Sequence, residues 1–286
     1  MTRQVWLGES LRWYLTQARH PLKNYVVGHY WAWFCKPRVW IKYDETSAIN
    51  VSLGDYLQQR IFFEGYYERI LVEWLKRTLQ PDDVFWDVGA NIGAVTLVAA
   101  RLCRRVVAFE PDPRSLQVLT RNVRTNRMEN VEIIPAALGE GDGTAILHQA
   151  AALNTGMSSL LPLQGGTIGN VQVQVIAADQ MIEARPELSP TVMKLDVEGA
   201  EHLVLRGAAR MLRNRRIRAI VFEDRCGSDG RPANQALLDS FRDAHYEIQP
   251  FGTSDESAND GMRNFLATSA ASVEPAPERR TVSALA

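Results

Sequence analysis

The sequence predicts an α/β fold, a doubly wound and mostly parallel sheet behind an aromatic-rich N-terminal cap. Three observations carry this expectation. Five β-rich runs, VFWDV (84–88), RVVAFE (105–110), VEIIPAAL (131–138), TVMKLDVE (191–198) and RAIVFED (218–224), are apolar enough to be covered on both faces. Helical text separates most of them, the pattern of parallel strands joined by right-handed crossovers. Several runs end in acids, and in such sheets ligands bind beyond the carboxyl ends of the strands, where the strand order reverses.

Taken in order, residues 1–80 form the cap and hold five of the seven tryptophans: Trp6, Trp13, Trp31, Trp33 and Trp40. These suit a cap that packs on the sheet or on a second copy in a homodimer. The alternative is a membrane-surface or sugar-stacking role. GYYERILVEWL (65–75) has helical spacing. The ligand-binding domain spans 81–269. In it, IGAVTLVAARLC follows the first strand, PRSLQVLTRNVRTN the second and GAEHLVLRGAARMLRNRR the fourth. NQALLDSFRDAH then supplies a helix, and YEIQPF with RNFLATS a terminal hairpin. Residues 270–286 are small, polar and proline-bearing, with too little apolar surface to order themselves.

The stretch DVGANIG (87–93) decides the ligand class. Gly89 and Gly93 let the backbone turn tightly at a helix start, a device common to nucleotide-binding folds. A dinucleotide fingerprint wants a further glycine where Asn91 stands, and Asp87 would be an unhelpful neighbour for a diphosphate. It is a good neighbour for a cation. S-adenosylmethionine carries an ammonium and a sulfonium and no phosphate, and Glu110, ending the second strand, is placed to accept from both ribose hydroxyls.

The motifs DVFWDVGANIGAVTLVAA, VVAFEPDP, VEIIPAALGEGDGTAIL, NTGMSSL and KLDVEGAEHLVLRGA resemble those of the FkbM-type S-adenosylmethionine-dependent methyltransferases. The resemblance covers roughly residues 60–225. It implies a class I, Rossmann-like methyltransferase fold and O-methylation of a sugar, glycan or secondary-metabolite hydroxyl. It further implies that Asp87, Gly89, Ala90, Asn91 and Gly93 cradle the methionine end. Glu110 and Pro111 would hold the ribose, and Ala136 and Ala137, within PAAL (135–138), would pass the adenine. Tyr67 and Glu68 lead the chain past the cofactor in the same reading. Two departures are Ala94, where the family commonly has Tyr or Phe, and Trp86, where a smaller β-former is usual.

The fourth strand ends in DVEGAEH. In a sheet ordered 3-2-1-4-5 this strand lies beside the first, which brings Asp196 close to Asp87 and to the methyl being transferred. An alcohol is a poor nucleophile while protonated, so a positioned carboxylate is expected as base or strong acceptor. Asp196 is the expected central acid and Glu198, on the same side of the strand, the expected base or acceptor. Capping of the next helix is the competing role, above all for Glu201. His202 could serve as base or sit on the surface. Asn154, Ser158 and Ser159 are candidate substrate contacts in a small, hydroxylic loop. No metal is required, although Asp196 and Glu223 leave a metal-assisted O-methyltransferase open, as is a non-catalytic cofactor-binding module.

Composition excludes other classes. With 32 basic and 33 acidic residues, no net positive charge advertises nucleic acid as a partner. Cys35, Cys103 and Cys226 form no metal or cluster spacing, which fits a reducing compartment and excludes a radical enzyme. None of the eight tyrosines has lysine four residues later, which removes a short-chain dehydrogenase. The run YVVGHYWAWFC is about half the length of a membrane span and no leader cleavage pattern follows it, so the expected location is cytoplasmic.

Overall fold

The computed structural model describes residues 3–17, 38–66, 68–150, 155–162, 167–252 and 261–269. The chain opens with α1 (Arg3–Thr16), the antiparallel hairpin β1 (Arg38–Tyr43) and β2 (Ser47–Ser52), then α2 (Tyr56–Glu64) and α3 (Arg69–Thr78). Asp55 starts α2 by accepting from the Gln58 amide. The central sheet begins with β3 (Val84–Val88), followed by α4 (Ala94–Ala99), β4 (Arg105–Phe109) and α5 (Pro113–Thr125). Asp112 caps α5 and Pro113 occupies its first turn, a start legible in the sequence.

The expected strand 131–138 divides at Pro135 into β5 (Val131–Ile134) and β6 (Ala136–Gly139). Proline has no amide hydrogen to continue a ladder, and β6 leaves the main sheet there. It pairs instead with β8 (Gly169–Ala177), which also pairs with β7 (Gly143–Gln149), in a second, three-stranded sheet. The sequence expectation places only a connection here, although VQVQV in β8 carries the period of a half-buried strand. After α6 (Ala178–Ala184) come β9 (Val192–Leu195), α7 (Glu201–Gly207), α8 (Ala209–Arg213), β10 (Ala219–Arg225), α9 (Gln235–Asp243), β11 (Tyr246–Pro250) and β12 (Met262–Ser269). The single helix expected over 199–216 is broken because Gly207 sits against β6, where a Cβ would lie 1.9 Å from the Gly139 carbonyl oxygen.

The main sheet has the order β5-β4-β3-β9-β10-β12-β11, parallel from β5 to β10, with β12 antiparallel to both its neighbours. The doubly wound sheet, its reversal between β3 and β9 and the terminal hairpin all appear as expected. One apolar layer, with Trp86, Phe109, Phe222 and Phe265, lies beneath α7, α8 and α9. The Trp86 ring fits that layer 4.9 Å from Phe109, its Nε1 donating to the Leu188 carbonyl at 2.8 Å. The other layer joins residues from both sides of position 80: Ile41, Ile49 and Phe62 pack in one cluster with Phe85, Val98 and Leu119. Trp6 and Trp13 are exposed, whereas Trp31, Trp33, Cys35 and the tail 270–286 lie outside the described residues. Among the described residues no helix is long and apolar enough to cross a membrane.

Asn122 ties the N-terminal hairpin to the sheet. It is fully buried, accepts from the Asn50 amide at 2.9 Å and donates to the Ile92 carbonyl at 2.8 Å. Asn122→Ala leaves two buried backbone groups unpaired, so equilibrium urea unfolding should show a loss of about 2–4 kcal/mol.

Candidate active site

A cavity of about 630 Å³ lies beyond the carboxyl ends of β3, β4, β9 and β10, roofed by α2 and the start of α3. Its size falls within the roughly 300–1,000 Å³ of small-ligand pockets. One wall is the turn after β3. Gly89 has φ +82°, and a Cβ there would meet the Asp196 carbonyl oxygen at 1.8 Å. Only glycine lets this turn and the end of β9 touch. Asn91, itself left-handed at φ 50°, donates its amide to Glu110 Oε2 at 2.7 Å, and the Asp112 amide donates to Oε1 at 2.8 Å. The Glu110 carboxylate is thus fixed at the cavity wall by two backbone donors, with lone pairs left to accept more. Burial pushes it up to about 7.

The end of β9 forms the second wall. Lys194 Nζ donates to Asp196 Oδ2 at 2.8 Å and lies 3.9 Å from Glu68 Oε2, which enters ahead of α3. Beyond Asp196 the chain reverses through Glu198 at φ 55° and Gly199 at φ 94°. A non-glycine residue in that region is uncommon and stores strain, a feature that gathers at functional sites. Two contacts hold the reversal. Glu201 Oε1 accepts from the Val197 and Gly199 amides, and the Ser159 hydroxyl donates to the Glu198 carbonyl at 2.8 Å. Burial pushes the Glu198 carboxyl up to about 9, and the charges of Asp196 and Glu223 add to that. Glu223, at the end of β10, is pushed up to about 8, first by burial and then by the charges of Asp196 and Glu68.

The cavity is lined by Gly89, Asn91, Glu110, Pro111, Ala136 and Ala137 of the expected cofactor set. Asp196, Glu198 and Ser158 line it as well. Other expectations are corrected. Asp87 does not reach the cavity: it is fully buried, bonded by the Thr96 hydroxyl on one oxygen and without a partner for the other among the described residues. Ala90 turns into the core and Gly93 begins α4, also away from the lining. Ser159 is spent on the Glu198 backbone. His202 lies on α7, 3.4 Å from Asn234, and does not line the cavity. Glu201 closes the turn before α7 by accepting from the Val197 and Gly199 amides, and among the described residues no side chain caps the start of that helix. Asn154 and Tyr67 lie outside the described residues. The Ser158 hydroxyl already donates to Asp112 and receives from the Ala150 amide.

Residues that the sequence reading missed complete the lining: Lys194, and Tyr56, Leu57, Arg60 and Ile61 of α2. Lys194 was discoverable, since it shares a strand face with Asp196. The α2 residues carried no signal. Among the described residues no three His, Cys, Asp or Glu side chains are grouped to hold a metal ion.

The comparison with known families settles the class. Residues 87–267 match the methyltransferase FkbM domain. This chain belongs to the FkbM methyltransferase family. Its methyl donor is S-adenosylmethionine. The chain is similar to the hexuronic acid methyltransferase AglP of Haloferax volcanii, 29% identical over 177 residues, 60% of this chain and 69% of AglP. It is also similar to Methyltransferase 1 of Beauveria bassiana, 31% identical over 148 residues, 44% of this chain and 59% of that one. A solved FkbM methyltransferase from Methylobacillus flagellatus superposes with a TM-score of 0.44 and 19% identity, over 75% of this chain and 55% of that chain.

The residues present fit the FkbM cofactor. The turn at Gly89 would be filled by any Cβ, Glu110 offers free lone pairs, and the acid-rich floor suits a cation. Two outcomes are expected. Gly89→Ala should weaken S-adenosylhomocysteine binding tenfold or more by calorimetry, on the order of 1.4 kcal/mol or above. Second, Glu198 and Glu223 titrate near 9 and 8 when folded, against an ordinary 4.5. Between these limits the folded state binds more protons than the unfolded chain, so this contribution to stability is lost as pH rises. Melting temperature of the ligand-free protein should fall from about pH 5 to about pH 9, and less steeply in Glu198→Gln.

Proposed function

We propose that this protein methylates a hydroxyl of a sugar, glycan or related secondary metabolite. The observation that carries the reading is the pair of carboxyls, Asp196 and Glu198, presented together at the cavity wall by the reversal after β9. The relative AglP is named for hexuronic acid methylation, which supports a carbohydrate acceptor.

S-adenosylmethionine, when bound, supplies an electrophilic methyl on a sulfonium. With the cofactor bound, Glu198 would accept the proton of the acceptor hydroxyl whose oxygen takes the methyl. Asp196 offers negative charge to the cationic side of the site, and Glu110 accepts from ribose hydroxyls. A protonated Glu198 cannot act as base, so its ionisation has to be drawn out by a cationic neighbour. Affinity for S-adenosylmethionine should therefore rise with pH between about 6 and 9, with S-adenosylhomocysteine responding less. Calorimetry of both ligands across that range measures the difference.

Activity is tested with methyl-labelled cofactor and a panel of sugars, uronic acids and glycosides, read by mass gain. A single methyl gained on oxygen supports the reading. Transfer only to nitrogen or carbon acceptors overturns it. With an acceptor in hand, Glu198→Gln should lower single-turnover rate by about 10²–10⁴-fold. Affinity for S-adenosylhomocysteine should stay within about threefold of wild type, or about 0.7 kcal/mol. A variant working at wild-type speed removes Glu198 from the chemistry.

A further inference from the structure

A buried lysine at the floor of a site built for a cation needs an explanation. Lys194 is 5% exposed and lines the cavity. It stands opposite Asp87 in the β3–β9 register, donates to Asp196 at 2.8 Å, and lies 3.9 Å from Glu68. Burial works against its charge, but Asp196, Glu68 and Asp87 outweigh burial and hold it firmly protonated. One cation thus gathers acids from three places: β3, the end of β9, and the segment before α3.

We propose that Lys194 is a positioning residue, which fixes one oxygen of Asp196 at the cavity wall, with Glu68, just ahead of α3, completing the charge balance. The arithmetic of charge favours this. Lys194 offsets one of the carboxylates around it, and the remainder leaves the floor net negative toward a sulfonium. Without the lysine, Asp196 would stand among Asp87, Glu198, Glu201 and Glu223 with no cation in contact to hold its carboxylate in place. The buried Tyr43, beside Glu68 and Asp87, is neutral and cannot replace that charge. It follows that the N-terminal helices are part of the site and not only its roof. This inference rests on the reading of Asp196 as the acid facing the cofactor.

The test uses the full chain and needs no acceptor. Binding of S-adenosylmethionine and S-adenosylhomocysteine is measured at about pH 6 and about pH 8.5 for wild type, Lys194→Met, Lys194→Arg and Glu68→Gln. Lys194→Met should weaken the sulfonium ligand by about tenfold or more at both pH values. The thioether ligand should change by less than about threefold, and Lys194→Arg should restore wild-type behaviour. Glu68→Gln should weaken the sulfonium ligand selectively by about three- to tenfold. A Lys194→Met protein that matches wild type, or loses both ligands equally at both pH values, overturns the proposal. If that variant does not fold, an unchanged ligand preference in Glu68→Gln overturns it instead. Asp196→Asn separates the two readings: unchanged cofactor binding there removes Asp196 from the cofactor site altogether, whereas a selective loss there with wild-type behaviour in Lys194→Met defeats only the role of the lysine.

Discussion

The site depends on one contact between neighbouring strand ends. The Asp196 amide donates to the Val88 carbonyl at 3.1 Å, the last bond of the β3–β9 ladder, and directly afterwards Gly89 lies against the Asp196 carbonyl. Parallel pairing therefore continues until the two chains diverge into different loops, one toward Glu110 and one through Glu198. A side chain at position 89 would part them, so the glycine serves contact between strands as much as approach to a ligand.

From that contact the rest of the site is built by spent polar groups. Glu110 is held by amides of Asn91 and Asp112, the reversal at Glu198 by Glu201 and Ser159, and the loop Thr155–Met157 by Asp55 at the start of α2. These bonds fix backbone positions, whereas Asp196, Glu198 and Glu223 line the cavity. They also explain why several attractive residues are not in the cavity: a hydroxyl or carboxylate already bonded to backbone holds the fold in place.

Charge is distributed to match. Acids collect on the face of the sheet shared by Asp87, Lys194, Asp196 and Glu223, while the opposite face carries Trp86, Phe222 and Phe265. Crowded, buried carboxyls prefer to hold protons, and a cationic ligand reverses that preference. In the proposed function, binding of the methyl donor would therefore release a proton and prepare a base.

The sequence by itself determined the parallel sheet, its reversal between β3 and β9, the glycine turn after β3 and the acids at the end of the fourth strand. These follow from local periodicity, strand-end position and the alternation of faces, all of which are properties of contiguous residues. Tertiary structure decided which of those residues reach the cavity. Asp87 is covered by Thr96, His202 turns toward Asn234, and Ser159 holds a backbone carbonyl, because each side chain was claimed by a neighbour that strand position and periodicity do not single out. It likewise decided that Glu68 meets Lys194 and that α2 roofs the cavity: such contacts join segments far apart in the chain, and no pattern within either segment records them.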